Sequence, residues 1–226
     1  MKNILRDLYT HPQLQAQLAF KGGTCLNLFH DLPRFSTDLD FSLTHGAKND
    51  VLATEIISKV LGEYLKIDDY FDKYFTWFWL GSYEKGKQRI KLEISKRIYQ
   101  GDCYQDHDLF GLTVRSLDLA TMSAHKLCAV ADRKQMANRD LYDTWWLLKK
   151  MTPINKQIIY ERTNKSLPDY FDHLKEYIEE HVDKKHILLG LGEVLDEPQK
   201  DWAKDHLLDE LLFQIKLRKE AEDNLL

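Results

Sequence analysis

A chain of 226 residues with 32 Lys and Arg against 36 Asp and Glu, a net charge of −4, is long enough to bury a sizeable core as one domain or as a catalytic domain with a helical extension. That balance excludes a generally basic nucleic-acid coat and leaves room for a local basic patch. No apolar run is long enough to span a bilayer, residues 1–8 lack a signal-peptide core, and Cys25, Cys103 and Cys128 show no Cys-x-x-Cys spacing, so unpaired thiols in a reducing cytoplasm are expected.

In chain order, the pattern predicts a helix over residues 3–18, a second over 25–29 opening at the Gly22-Gly23 turn, and a strand over 35–43. Residues i and i+2 of an extended chain point the same way, so Asp38 and Asp40 project from one face while Leu39, Phe41 and Leu43 pack on the other. Two carboxylates that close repel each other unless a cation sits between them. Oxygen donors of this kind suit Mg²⁺ or Mn²⁺, which clamp the attacking and leaving oxygens of a phosphoryl transfer. The double glycine upstream lets backbone N–H groups approach phosphate at a helix N-terminus, and the Thr24 hydroxyl is a further donor. A lone Gly-Gly is more often a plain turn, and a lone Asp-x-Asp a solvated strand edge. Their ordered combination, with Arg34 and Ser36 just before the acids, is the informative signal.

Residues 48–65 have apolar positions at helical spacing, and the aromatic run 74–83 reads as a strand that turns about Gly86 and returns over residues 89–95. In that return strand Ile90, Leu92 and Ile94 face the core, which sets Lys91 and Glu93 on the other side, and such a strand could place Glu93 beside the Asp38/Asp40 pair. The plainer alternative is a surface Lys–Glu ladder. From Ser116 onward the chain reads as helical, with breaks near Pro153, Pro168 and Pro198. Lys126 and Arg133, seven residues apart on one helix face, form a cationic pair suited to a triphosphate. Asp140 and Asp143 follow; an Arg139–Asp143 ion pair is the plain alternative, and spacing does not decide which acid faces a nucleotide. The nine histidines lack metal-ligand spacing, and Asp106-His107-Asp108 is expected in a polar loop. Trp77 and Trp79 are candidates for base stacking, although a buried hairpin face suits them better. Basic residues concentrate at Lys85, Lys87, Arg89, Lys91, Lys96 and Arg97, then at Lys126, Arg133, Lys134 and Arg139, which makes RNA a plausible acceptor.

The Gly22-Gly23-Thr24 turn, the Arg34-x-Ser36-x-Asp38-x-Asp40 run, the Lys91-Leu92-Glu93 segment, Lys126, Arg133 and the Arg139-Asp140-x-x-Asp143 segment resemble the AbiEii/MenT-type nucleotidyltransferase toxins, a branch of the polymerase β-like superfamily. Some members have Ser where this chain has Thr24, which keeps the hydroxyl. The resemblance covers roughly residues 15–150. It implies an α+β fold with a nucleotidyltransferase core over residues 1–115, a mixed sheet with flanking helices, and a helical part over 116–226 that completes the nucleotide site. It implies that Gly22, Gly23, Thr24, Arg34, Ser36, Lys126, Arg133 and Asp140 bind nucleotide and that Asp38, Asp40 and Glu93 bind Mg²⁺ or Mn²⁺. Catalysis would fall to Asp38, Asp40, Glu93, Lys126 and Asp143. It further implies an NTP substrate, an RNA acceptor (tRNA in MenT-like members), a cognate antitoxin that is often a DNA-binding repressor, a cytoplasmic location and no membrane partner. The same core would also serve a protein or antibiotic acceptor, or persist in a non-catalytic RNA- or protein-binding relative.

Overall fold

The computed structural model describes residues 1–47, 51–83, 89–132 and 137–224. The chain divides into two compact units, one made of Met1–Asp31 with Ser36–Asp118 and the other of Leu32–Phe35 with Leu119–Leu226.

The first unit is α+β. Its elements are α1 (Lys2–Tyr9), α2 (Pro12–Gln17), β1 (Leu18–Lys21), α3 (Gly22–His30), β2 (Leu39–Leu43), α4 (Val51–Tyr64), β3 (Lys66–Lys73), β4 (Thr76–Ser82), β5 (Arg89–Ser95), β6 (Tyr104–Leu109) and β7 (Leu112–Leu117). The strands form one seven-stranded sheet in the order β3-β4-β5-β2-β1-β7-β6. Strands β2 and β5 run parallel, as do β1 and β7, and the remaining neighbours are antiparallel. One face is apolar, because alternation sends Leu39, Phe41, Trp77, Trp79, Ile90, Leu92 and Ile94 to the same side, where all are buried. Burying each such side chain contributes about 1.5–3 kcal/mol. Trp79 Nε1 donates to Ser58 Oγ of α4 at 2.9 Å, and Tyr9 Oη donates to the Arg115 carbonyl at 2.6 Å, tying α4 and α1 to the sheet.

Several elements differ from the sequence pattern. The helix expected over 3–18 ends at Tyr9 and restarts at Pro12, because a proline has no N–H for the helix ladder and its ring clashes with the preceding turn. The strand expected over 35–43 begins only at Leu39, so Asp38 stands at its mouth. The hairpin forms as read, β4 against β5 in antiparallel register, and its turn at Gly86 lies outside the described residues. Strands β1, β3, β6 and β7 come in addition. His107 belongs to β6, its ring nitrogen 2.9 Å from Ser116 Oγ of β7, where a polar loop was expected.

The second unit contains the helices α5 (Leu119–Asp132), α6 (Asn138–Lys149), α7 (Lys156–Thr163), α8 (Leu167–His181) and α9 (Glu197–Asp223). Their starts follow local chemistry. The Asn155 carboxamide accepts from the N–H groups of Gln157 and Ile158, Ser166 caps α8 with Pro168 in its first turn, and Asp196 and Gln199 close a capping box around Pro198. Within this unit α6 packs on α9, with Trp145 and Trp202 rings 4.2 Å apart and Leu207, Leu211 and Ile215 buried.

Candidate active site

Three acids of the first unit come together through strand register. Asp40 of β2 pairs laterally with Glu93 of β5, and paired residues share a face of the sheet. The Lys91 ammonium lies 3.6 Å from Asp38 Oδ2, 3.4 Å from Asp40 Oδ1 and 3.5 Å from Glu93 Oε2. Burial alone would lower the Lys91 pKa, but Asp40, Asp38 and Glu93 outweigh it and hold the ammonium above its usual range. Sequence alternation put Lys91 on this face as a ladder residue. Its place at the centre of three carboxylates depends on the parallel β2/β5 register, which no local pattern announces.

Among the described residues no three His, Cys, Asp or Glu side chains form a closed ligand set as they stand. In the acid cluster the Lys91 ammonium occupies the centre and offsets the repulsion among the three carboxylates. The donor chemistry nevertheless suits a hard divalent ion, since three carboxylates already surround one cationic atom. Asp38, Asp40 and Glu93 would hold such an ion, and the Lys91 ammonium would have to give up the centre to it.

The glycine turn abuts this cluster. Gly22 has φ +81°, and a Cβ there would lie 2.7 Å from Asp40 Oδ2, so only glycine fits. Helix α3 starts at that glycine, which gives its first N–H groups the orientation that favours anions. Thr24 and Ser36 are buried beside it. The Thr24 hydroxyl donates to the Asp38 carbonyl and shares a hydrogen bond of 2.9 Å with Ser36 Oγ, so it braces the entry to β2.

The second unit holds a separate buried ion cluster. Arg34 grips Asp143 with two N–H groups, Nε to Oδ1 at 2.5 Å and Nη2 to Oδ2 at 2.7 Å. Lys126 Nζ reaches Asp143 Oδ2 at 2.7 Å and Asp140 Oδ1 at 2.9 Å. Desolvation would raise the Asp143 carboxyl, yet Lys126 and Arg34 prevail and bring it down to about 2. Lys126, 14% exposed, therefore spends two of its three N–H groups on acids. Arg133 lies outside the described residues. The Arg34–Asp143 pair joins residues 109 positions apart, beyond the reach of spacing arguments.

A mixed sheet that sets two Asp and a Glu side by side, next to a glycine turn at a helix N-terminus, is the framework of a nucleotidyltransferase. The fold agrees with a candidate nucleotidyltransferase from H. pylori, at TM-score 0.61 and 21% identity over 100% of this chain and 96% of that one. It also agrees with JHP933 from Helicobacter pylori, at TM-score 0.51 and 19% identity over 99% and 95% of the two chains. No curated protein matches the chain. Residues 3–216 match the family of the nucleotidyl transferase AbiEii toxin, type IV toxin–antitoxin system, and the chain belongs to that family. Membership makes it the nucleotidyltransferase toxin of a toxin–antitoxin system, with an antitoxin as partner. No described helix is long and apolar enough to cross a membrane.

Proposed function

We propose that this protein transfers a nucleotide from an NTP to an RNA, using a Mg²⁺ or Mn²⁺ ion held by Asp38, Asp40 and Glu93. The observation that carries the reading is the trio of carboxylates within 3.6 Å of one cationic atom. A divalent ion bound there supplies charge to the phosphoryl oxygens as displacement proceeds. The chain's own groups do the rest. The N–H groups after Gly22 and Gly23 bind triphosphate oxygens, while Thr24 and Ser36 keep the Asp38 backbone in place. Glu93, with 41% of its side chain exposed, takes the proton of the attacking RNA hydroxyl on a carboxylate oxygen. In the helical unit Lys126, paired with Asp140 and Asp143, and Arg133 are proposed as cations for phosphate, as the family resemblance implies. The antitoxin is proposed to be a DNA-binding repressor.

The test is incubation with each labelled NTP, Mg²⁺ or Mn²⁺, and total cellular RNA, protein and small-molecule fractions. Label is expected in RNA only, and Asp40→Ala is expected to lower transfer on the order of a thousandfold with the fold intact. Label in protein or in a small molecule would replace the acceptor. Transfer near the wild-type rate in Asp40→Ala would remove the acids from the chemistry.

A further inference from the structure

The sheet face that bears the acids continues across β4 and β3 as an aromatic strip. Register places Asp40 beside Glu93, Glu93 beside Phe78, and Phe78 beside Phe71, so the four side chains stand in one row on one face. Phe71 and Phe78 are half-buried, and their rings stack at 4.4 Å with 4° between planes. The Lys73 ammonium sits 4.2 Å from the centroid of Phe71. At the end of the same hairpin the Arg97 guanidinium lies 4.4 Å over the ring of the exposed Phe75. Core packing of the hairpin is supplied from the opposite face by Trp77 and Trp79, both buried. Phe71 has one ring face against Phe78 and the Lys73 ammonium over its ring, so of the two it is Phe78 that keeps a face turned away from its partner, on the side of the acid.

Their position relative to the glycine turn determines what they serve. The acids lie on β2 and β5; β1 and the Gly22 turn flank them on one side, and β4 and β3 on the other. An in-line displacement puts the attacking oxygen opposite the leaving pyrophosphate. With the triphosphate at the glycine turn, as the proposed function has it, the acceptor hydroxyl arrives from the β4 side, past Glu93. We infer that Phe78, backed by Phe71, is the stacking platform for the terminal base of a single-stranded RNA end, holding the acceptor so that its hydroxyl meets Glu93. Strands are spaced by about 4.8 Å, so Phe78 stands one strand from Glu93, within reach of the nucleotide bearing the hydroxyl. Aromatic stacking tolerates any base, and the Lys73 and Arg97 charges complement the RNA backbone.

The inference rests on the proposed function and is tested separately from it. The probes are a dye-labelled six-nucleotide RNA and the same oligomer with an abasic 3′-terminal nucleotide, titrated with the wild-type chain, Phe78→Leu and Phe78→Tyr. The wild type and Phe78→Tyr are expected to bind the intact oligomer about tenfold more tightly than the abasic one. Phe78→Leu is expected to lose that preference and to raise KM for RNA by about tenfold while KM for NTP stays unchanged. Equal binding of both oligomers by the wild type, or a retained preference in Phe78→Leu, overturns the platform. A rise confined to KM for NTP overturns the acceptor assignment and gives the platform to the incoming base. Should Phe78→Leu fail to fold, Phe71→Leu is read in the same assay with the same outcomes. Absence of any transfer to RNA by the wild type sinks the proposed function, whereas transfer with an unaltered RNA KM in Phe78→Leu sinks only the platform.

Discussion

Asp143 is fully buried and bonded to both Arg34 and Lys126, so its charge belongs to the stability of the helical unit. Its folded-state pKa of about 2 lies below the ordinary 3.8. A depressed acid stabilises above its unfolded pKa and loses that contribution as pH falls. The pair is thus expected to contribute on the order of 2 kcal/mol at neutral pH, lost between about pH 4 and pH 2, as chemical denaturation across that range checks. Asp143→Asn leaves two buried cations short of an anion and should cost about 3–5 kcal/mol at pH 7, read as a lowered denaturation midpoint. Lys91 is the opposite case, a partly exposed cation whose neighbours are acids proposed to bind metal. Lys91→Met removes the cation that offsets the repulsion among Asp38, Asp40 and Glu93. In chelator the variant is expected to melt about 2–4 °C below wild type, a loss of about 1 kcal/mol. Mn²⁺ is then expected to raise its melting temperature by more than it raises that of the wild type, because metal no longer competes with an ammonium. Equal Mn²⁺ shifts in both proteins would show that Lys91 and metal do not share a place.

At the level of elements, the β1–α3 junction couples backbone form to the acid cluster. Gly22→Ala meets both a positive φ and a 2.7 Å clash with Asp40 Oδ2. It is expected to destabilise by about 1–3 kcal/mol and to suppress transfer more than that loss explains, because the carboxylate must move. Melting curves and transfer rates on one preparation check both effects. The junction and the hairpin were legible in the sequence because each rests on local rules: glycine tolerance, two-residue alternation and helix-start chemistry. Glu93 beside Asp38 and Asp40 was expected from the family resemblance, since the β2/β5 register that brings it there is long-range. Strands β3 and β6 were not. Lys66–Lys73 and Tyr104–Leu109 are edge strands with polar residues on both faces, so no alternation marks them. Strand β1 is only four residues long and reads as the tail of a helix. The aromatic hairpin directed attention to Trp77 and Trp79. The pleat sends those two inward and brings Phe78 to the acid face, a choice that only the register with Glu93 fixes.

For the whole molecule, family membership and the acid cluster lead to one expectation: induced expression of the chain slows bacterial growth, and the Asp38→Ala version does not. Growth curves after induction check this, and equal slowing by both would separate the harm from the acids. The division of the chain also has a consequence for biosynthesis. Residues 32–35 belong to the helical unit, yet the other residues of that unit begin only at 119. Arg34 and Asp143 are separated by 109 positions, so at about 5–20 residues per second the arginine waits roughly 5–20 s before its carboxylate exists. A ribosome paused between residues 117 and 143 has made every strand of the sheet but not yet Asp143. The helical unit is thus the last part of the toxin to mature, and the order of translation gives each new molecule an interval in which its sheet is complete and its ion cluster is not.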